Sequence, residues 1–94
     1  MQRPNILLIY TDQQRWDTIN ANGNPHIITP NLDRLAEQGA TFTHHFCQNP
    51  LCMPSRVSML SGRYPSATGI THMGVPVPED LPVLSHMVSP YGYR

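Results

Sequence analysis

The chain has 94 residues, a formal net charge of zero and ten prolines, which is the size of one small domain divided into short elements. Its six basic residues are all arginine, scattered at Arg3, Arg15, Arg34, Arg56, Arg63 and Arg94, so no basic stripe tracks phosphates and no nucleic-acid partner is expected. The longest apolar run, Ile6 to Tyr10, is far too short to cross a bilayer, and the N-terminus lacks the zones of a signal peptide, so a cytoplasmic protein without a membrane partner is expected.

The run NILLIYTD, residues 5–12, is almost continuously apolar rather than alternating, which predicts a strand buried on both faces of a parallel sheet in an α/β fold. Asp12 closes it at the carboxyl edge, where such sheets collect ligands. Capping of the following loop is the other reading of Asp12. Residues 12–30 are rich in Asn, Gly and Pro and predict a long irregular connection. Within it, Trp16 either lines a substrate entrance or covers the core.

A helix is predicted next, with Thr29 as N-cap, Pro30 at the first helical position, Leu32, Leu35 and Ala36 on one face and Gly39 as C-cap. Residues 40–44 alternate through Phe42 and predict a second short strand. The adjacent His44 and His45 would then point to opposite faces and make no paired site. From Pro54 to Gly62, Val57 and Leu60 sit at helical spacing, so a short helix is predicted immediately after Cys52. Residues 63–80 are turn-rich, and His72 there is either solvated or turned toward a pocket. A last helix is predicted near Pro82, with Val83, Leu84, Met87 and Val88 apolar and Pro90 ending it. The closing SPYGYR reads like the start of a further strand, so a chain that continues is expected.

The chemistry concentrates at Cys52. A cysteine at a helix N-terminus meets unpaired backbone N–H groups and the positive end of the helix dipole, which suits an anion or a nucleophile. Arg56, four residues on, carries a planar guanidinium that holds two oxygens of a tetrahedral anion. The alternatives are a small buried cysteine beside a solvated charge, or a structural disulfide between Cys47 and Cys52, which the lack of an export signal disfavours.

The string CMPSRVSMLSGR, residues 52–63, resembles the sulfatase signature, Cys-x-Pro-Ser-Arg with a downstream Leu-Ser/Thr-Gly-Arg. NILLIYTDQQ and TPNLDRLAEQGATFT precede it in the order the family shows, so the resemblance extends over residues 1–94 and is to the amino-terminal part of a sulfatase domain. It implies an α/β fold, the amino-terminal part of an alkaline-phosphatase-like sandwich with a mainly parallel sheet. It also implies a sulfuric ester hydrolase in which Cys52 is oxidised to formylglycine by a separate formylglycine-generating enzyme. One hydroxyl of the hydrated aldehyde, activated by a divalent cation, attacks sulfur and expels the alcohol; the second loses its proton and expels sulfate.

By the same resemblance, Cys52 and Arg56 are catalytic, and Asp12, Gln13 and the residue made from Cys52 hold the metal. Pro54 and Ser55 belong to the sequence read by the modifying enzyme, although Ser55 reads equally as a helix-start residue. Many sulfatases carry a second acid where this chain has the neutral Gln13. That departure lowers the ligand charge by one and leaves Mn2+ or Mg2+ beside Ca2+, the cation expected first. The family's substrate-binding lysine has no counterpart, because the chain contains no lysine. A small-molecule or saccharide sulfate ester is the expected substrate, and the 94 residues alone are expected to be inactive. The rivals are a phosphonate monoester or phosphodiester hydrolase of the same superfamily, which shares the Asp-Gln pair, and a non-catalytic truncated domain.

Overall fold

The computed structural model describes residues 3–94. They form two compact units, one running to His45 and the other spanning Phe46–Arg94.

In the first unit residues 3–11 run without regular structure, and 3-10 turns follow at Trp16–Thr18 and Asn20–Asn22. Helix α1 spans Pro30–Gln38 with Thr29 at the N-cap and Gly39 at the C-cap, as the sequence predicts. Thr29 does not cap with its side chain. Its hydroxyl instead accepts the Asn20 N–H at 2.9 Å and donates to Asp33 Oδ1 at 2.9 Å. Asp33 Oδ1 also accepts the Ala21 N–H at 2.9 Å. The N-cap Thr29 and Asp33 of α1's first turn thereby hold the preceding loop to the helix. Gly39 is extended rather than left-handed, and the reason for glycine there is space: a Cβ would lie 3.1 Å from the Leu35 carbonyl oxygen.

The loop itself is fastened by amides. Asn22 Nδ2 donates to the Trp16 carbonyl at 2.6 Å and Asn20 Nδ2 to the Asn24 carbonyl at 2.9 Å, while Arg15 Nε donates to Asp17 at 2.9 Å. That hydrogen bond holds the Asp17 carboxyl below the usual range. No described residue of this unit is buried; polar bonds rather than an apolar core maintain its local order.

The second unit has a small core of Val57, Ile70 and Leu81, with Met53 and Val75 packed against it. Helix α2 spans Cys52–Ser61 and buries Pro54, Val57, Ser58 and Ser61. Gly62 ends it in the left-handed region at φ 67°, and its N–H reaches the Ser58 carbonyl. Both buried serines are satisfied: Ser61 Oγ donates to the Val57 carbonyl at 2.7 Å and Ser58 Oγ to the Arg63 carbonyl. Helix α3, Pro65–Thr68, is a single turn that delivers Ile70 to the core. Helix α4, Leu84–Val88, continues into a 3-10 turn over Ser89–Tyr91. Pro90 thus sits within that turn, past the α-helical end the sequence places before it.

Among the described residues there is no strand, neither at Ile6–Tyr10 nor at 40–44. A strand exists only through its ladder, because its N–H and C=O groups point sideways and need neighbouring chain. The run from Ile6 to Tyr10 has no such neighbour here, and all five of its residues are exposed. Among the described residues no helix is long and apolar enough to cross a membrane.

Candidate active site

Cys52 is the first residue of α2, so the helix begins at the cysteine rather than after it. The reason lies upstream. Asn49 Oδ1 accepts the Leu51 N–H at 2.8 Å, an Asx turn that bends the chain at Asn49-Pro50. Leu51 then serves as N-cap, with extended φ and ψ and no capping side chain. Its carbonyl accepts the Ser55 N–H at 3.1 Å, closing the first turn. Pro54 is tolerated because an N–H in this turn has no intrahelical partner to lose, and its fully buried ring anchors the turn. Ser55, whose N–H closes the first turn on the Leu51 carbonyl, lies inside the helix near its start, and the N-cap is Leu51.

Cys52 is half-buried and its thiol is free; Cys47 is free and exposed. The disulfide reading is thereby set aside. Arg56 is exposed and lies one turn after Cys52, on the same helical face. Cys52 and Arg56 are thus brought together by α2 alone.

Asp12 and Gln13 occupy a bend in the first unit, both exposed. Gln13 takes φ 52°, the left-handed region that a side chain with a Cβ enters at a cost. In kind, a carboxylate and an amide oxygen fit a hard divalent cation. In number they fall short of the six or more oxygens such a cation takes, and the described residues contain no cluster of three His, Cys, Asp or Glu side chains suited to a metal. The His44 ring lies by the Thr43 hydroxyl at 3.0 Å and the His45 ring by Phe42; with no strand at 40–44, the opposite-face argument does not apply to them. Trp16 is 66% exposed and covers no core.

Two features escaped the sequence reading. Asn49 is one, although its Asn-Pro dipeptide is a turn signal. The other is the pair Ser58 and Ser61: Ser58 reaches the Arg63 carbonyl, and Ser61 Oγ accepts the Arg63 N–H at 3.3 Å. These bonds give the Leu-Ser-Gly-Arg string a physical task, locking the turn that follows α2.

The family model described as Sulfatase matches residues 4–94. The chain belongs to the sulfatase family. Among curated proteins it is 47% identical over 68 residues to N-acetylgalactosamine-6-sulfatase of Sus scrofa, a match covering 72% of this chain and 13% of that protein. It is 35% identical over 92 residues to the ulvan-active sulfatase of Formosa agariphila, covering 98% of this chain and 18% of the relative. With human steryl-sulfatase it shares 44% identity over 68 residues, 72% of this chain and 12% of that protein. The chain therefore spans less than a fifth of the length of these sulfatases. No solved structure matches it significantly.

Proposed function

We propose that these residues supply the nucleophile end of a sulfuric ester hydrolase, with Cys52 converted to formylglycine by a separate modifying enzyme. The observation that carries this reading is Cys52 at the first position of α2, opening the string Cys-Met-Pro-Ser-Arg that ends at Arg56, one turn later on the same face. Hydrated formylglycine supplies two geminal hydroxyls, one to attack sulfur and one to drive sulfate out. The N–H groups at the start of α2 point toward the anion and stabilise its charge. Arg56, through its planar fork, orients the nucleophile and offsets developing negative charge.

Asp12 and Gln13 are proposed as donors toward a divalent cation, Ca2+ first and Mn2+ or Mg2+ as the alternatives. When bound, such a cation acidifies the attacking hydroxyl and polarises the ester. The remaining positions would be taken by further oxygen donors, water among them. The parallel α/β sandwich belongs to the same proposal; its support is the doubly apolar, exposed run at Ile6–Tyr10, which has the character of an interior strand. The substrate is a sulfate ester of a small alcohol or saccharide, in keeping with relatives named for N-acetylgalactosamine, ulvan and steryl groups.

Peptide mass analysis over residues 47–56 of active protein tests the reading. Cys52 is expected as formylglycine and Cys47 as an unmodified thiol, and Cys52→Ala is expected to abolish aryl sulfate turnover with the fold kept. An intact Cys52 thiol in fully active protein would sink the mechanism. Gln13 in place of a second acid favours one other reading, a phosphonate monoester or phosphodiester hydrolase. Side-by-side turnover of an aryl sulfate and an aryl phosphonate monoester separates the two.

A further inference from the structure

We propose that Asn49 is the positioning residue for Cys52, the side chain that fixes where the nucleophile stands by tying the start of α2 to the loop after α3. The inference rests on the reading of Cys52 as the nucleophile's precursor. Asn49 makes two bonds with its two amide atoms. Oδ1 accepts the Leu51 N–H at 2.8 Å, and Nδ2 donates to the Thr71 carbonyl at 3.3 Å, 22 residues away.

The start of α2 depends on this residue because the usual device is missing. Ser, Thr, Asp or Asn at an N-cap satisfies the first N–H groups, whereas Leu51 has no oxygen to offer. The chain is instead fixed two residues earlier. Thr71, in turn, follows Ile70, which is 1% exposed and packs with Val57 of α2 in the core. Apolar packing and one polar bond therefore join α2 to this loop. Val57 against Ile70 is apolar and holds the middle of the helix; Asn49 to Thr71 is polar and holds the entry.

Losing the polar bond leaves the apolar packing, in which Met53 and the fully buried Pro54 also take part. The chain ahead of Pro54 can then shift about that buried ring and carry Cys52 with it while the core persists. A nucleophile displaced by about 1 Å loses rate on the order of a hundredfold, through orientation rather than through substrate affinity.

The test uses the full-length protein with Asn49→Ala, which removes both bonds, and Asn49→Ser, whose hydroxyl can still accept the Leu51 N–H but is too short to bridge to Thr71. Protein made without the modifying enzyme is alkylated with iodoacetamide, and Cys52 is followed by mass analysis with Cys47 as the internal reference. Protein made with that enzyme is assayed for kcat and KM on an aryl sulfate, and both forms are melted.

Asn49→Ala is expected to alkylate Cys52 several-fold faster with Cys47 unchanged, and to lower kcat roughly 10- to 100-fold at constant KM. Asn49→Ser should fall between it and the parent in both measurements, which also decides the matter if the alanine variant does not fold. Unchanged Cys52 alkylation and unchanged kcat in Asn49→Ala would overturn the proposal. So would parallel changes at Cys47 and Cys52 with lost melting in both variants, the mark of a general folding role. Absence of sulfatase turnover in the parent, with the selective change at Cys52 still present, would refute the functional reading and leave the positioning role standing.

Discussion

Gln13 and Cys52 illustrate two ways in which single residues depart from local preference. Cys52 occupies a helix start that has no capping side chain, where Ser, Thr, Asp or Asn before it would be the stabilising choice. Gln13 sits at φ 52°, where glycine or asparagine would be at ease. Such backbone outliers persist where the site needs the side chain they carry, and Gln13 lies beside Asp12 at the bend proposed to face the cation. Gln13→Gly in the full-length protein is therefore expected to raise stability measured in EDTA by about 1 kcal/mol, and to shrink the additional stabilisation gained on adding Ca2+ or Mn2+. Denaturant titrations with and without the cation read both effects. A variant stabilised equally in both conditions would show that Gln13 is no ligand, and one destabilised in EDTA would show that its backbone is not strained.

At the scale of elements, α1 and α2 show what a local pattern can and cannot disclose. The Thr29-Pro30 start, the Leu32, Leu35, Ala36 face and the Gly39 stop lie within about three turns of chain, so sequence alone delimits α1. The pair Cys52 and Arg56 was legible for the same reason, one turn of helix separating them. The start of α2 was misplaced to a position after Cys52 because it depends on Asn49, whose second partner lies at Thr71 and is invisible to any local window. The strands expected at Ile6–Tyr10 and 40–44 are not formed among the described residues for a similar reason: apolar run and alternation mark a segment fit for a sheet, but the ladder is made by distant chain. At the far end of α2 the determinants are local again. Gly62 has φ 67°, and a Cβ there would meet nothing within 4 Å, so the cost of a side chain is conformational alone. Gly62→Ala is expected to destabilise by about 1 kcal/mol, with Gly62→Asn recovering part of the loss because asparagine tolerates this region. Urea unfolding of the three proteins checks this order, and an alanine variant as stable as the parent would mean that α2 does not end in this turn.

For the molecule as a whole, the decisive quantity is apolar surface that the described residues leave uncovered. Leu7 is 85% exposed and Ile28 90%, and every residue from Ile6 to Tyr10 is open to water. In an extended backbone Ile6, Leu8 and Tyr10 line one face and Leu7 and Ile9 the other, so no single neighbouring layer can cover the segment; it calls for chain on both sides. Burying a large apolar side chain contributes about 1.5–3 kcal/mol, so covering this segment is worth on the order of 10 kcal/mol, as much as the net stability of many domains. By contrast the core of Val57, Ile70 and Leu81 is small. A polypeptide of residues 1–94 made alone is thus expected to cover the segment by self-association, since exposed apolar strands pair with whatever edge they meet. Light scattering behind size exclusion, over a range of concentrations, should give a mass well above 10.6 kDa that falls on dilution. Leu7→Lys together with Ile9→Lys, which charges one face, should shift the distribution toward monomer. A parent polypeptide that stays monomeric at every concentration and melts cooperatively would show that the segment needs no partner, and would remove the support it gives to a sheet buried on both faces.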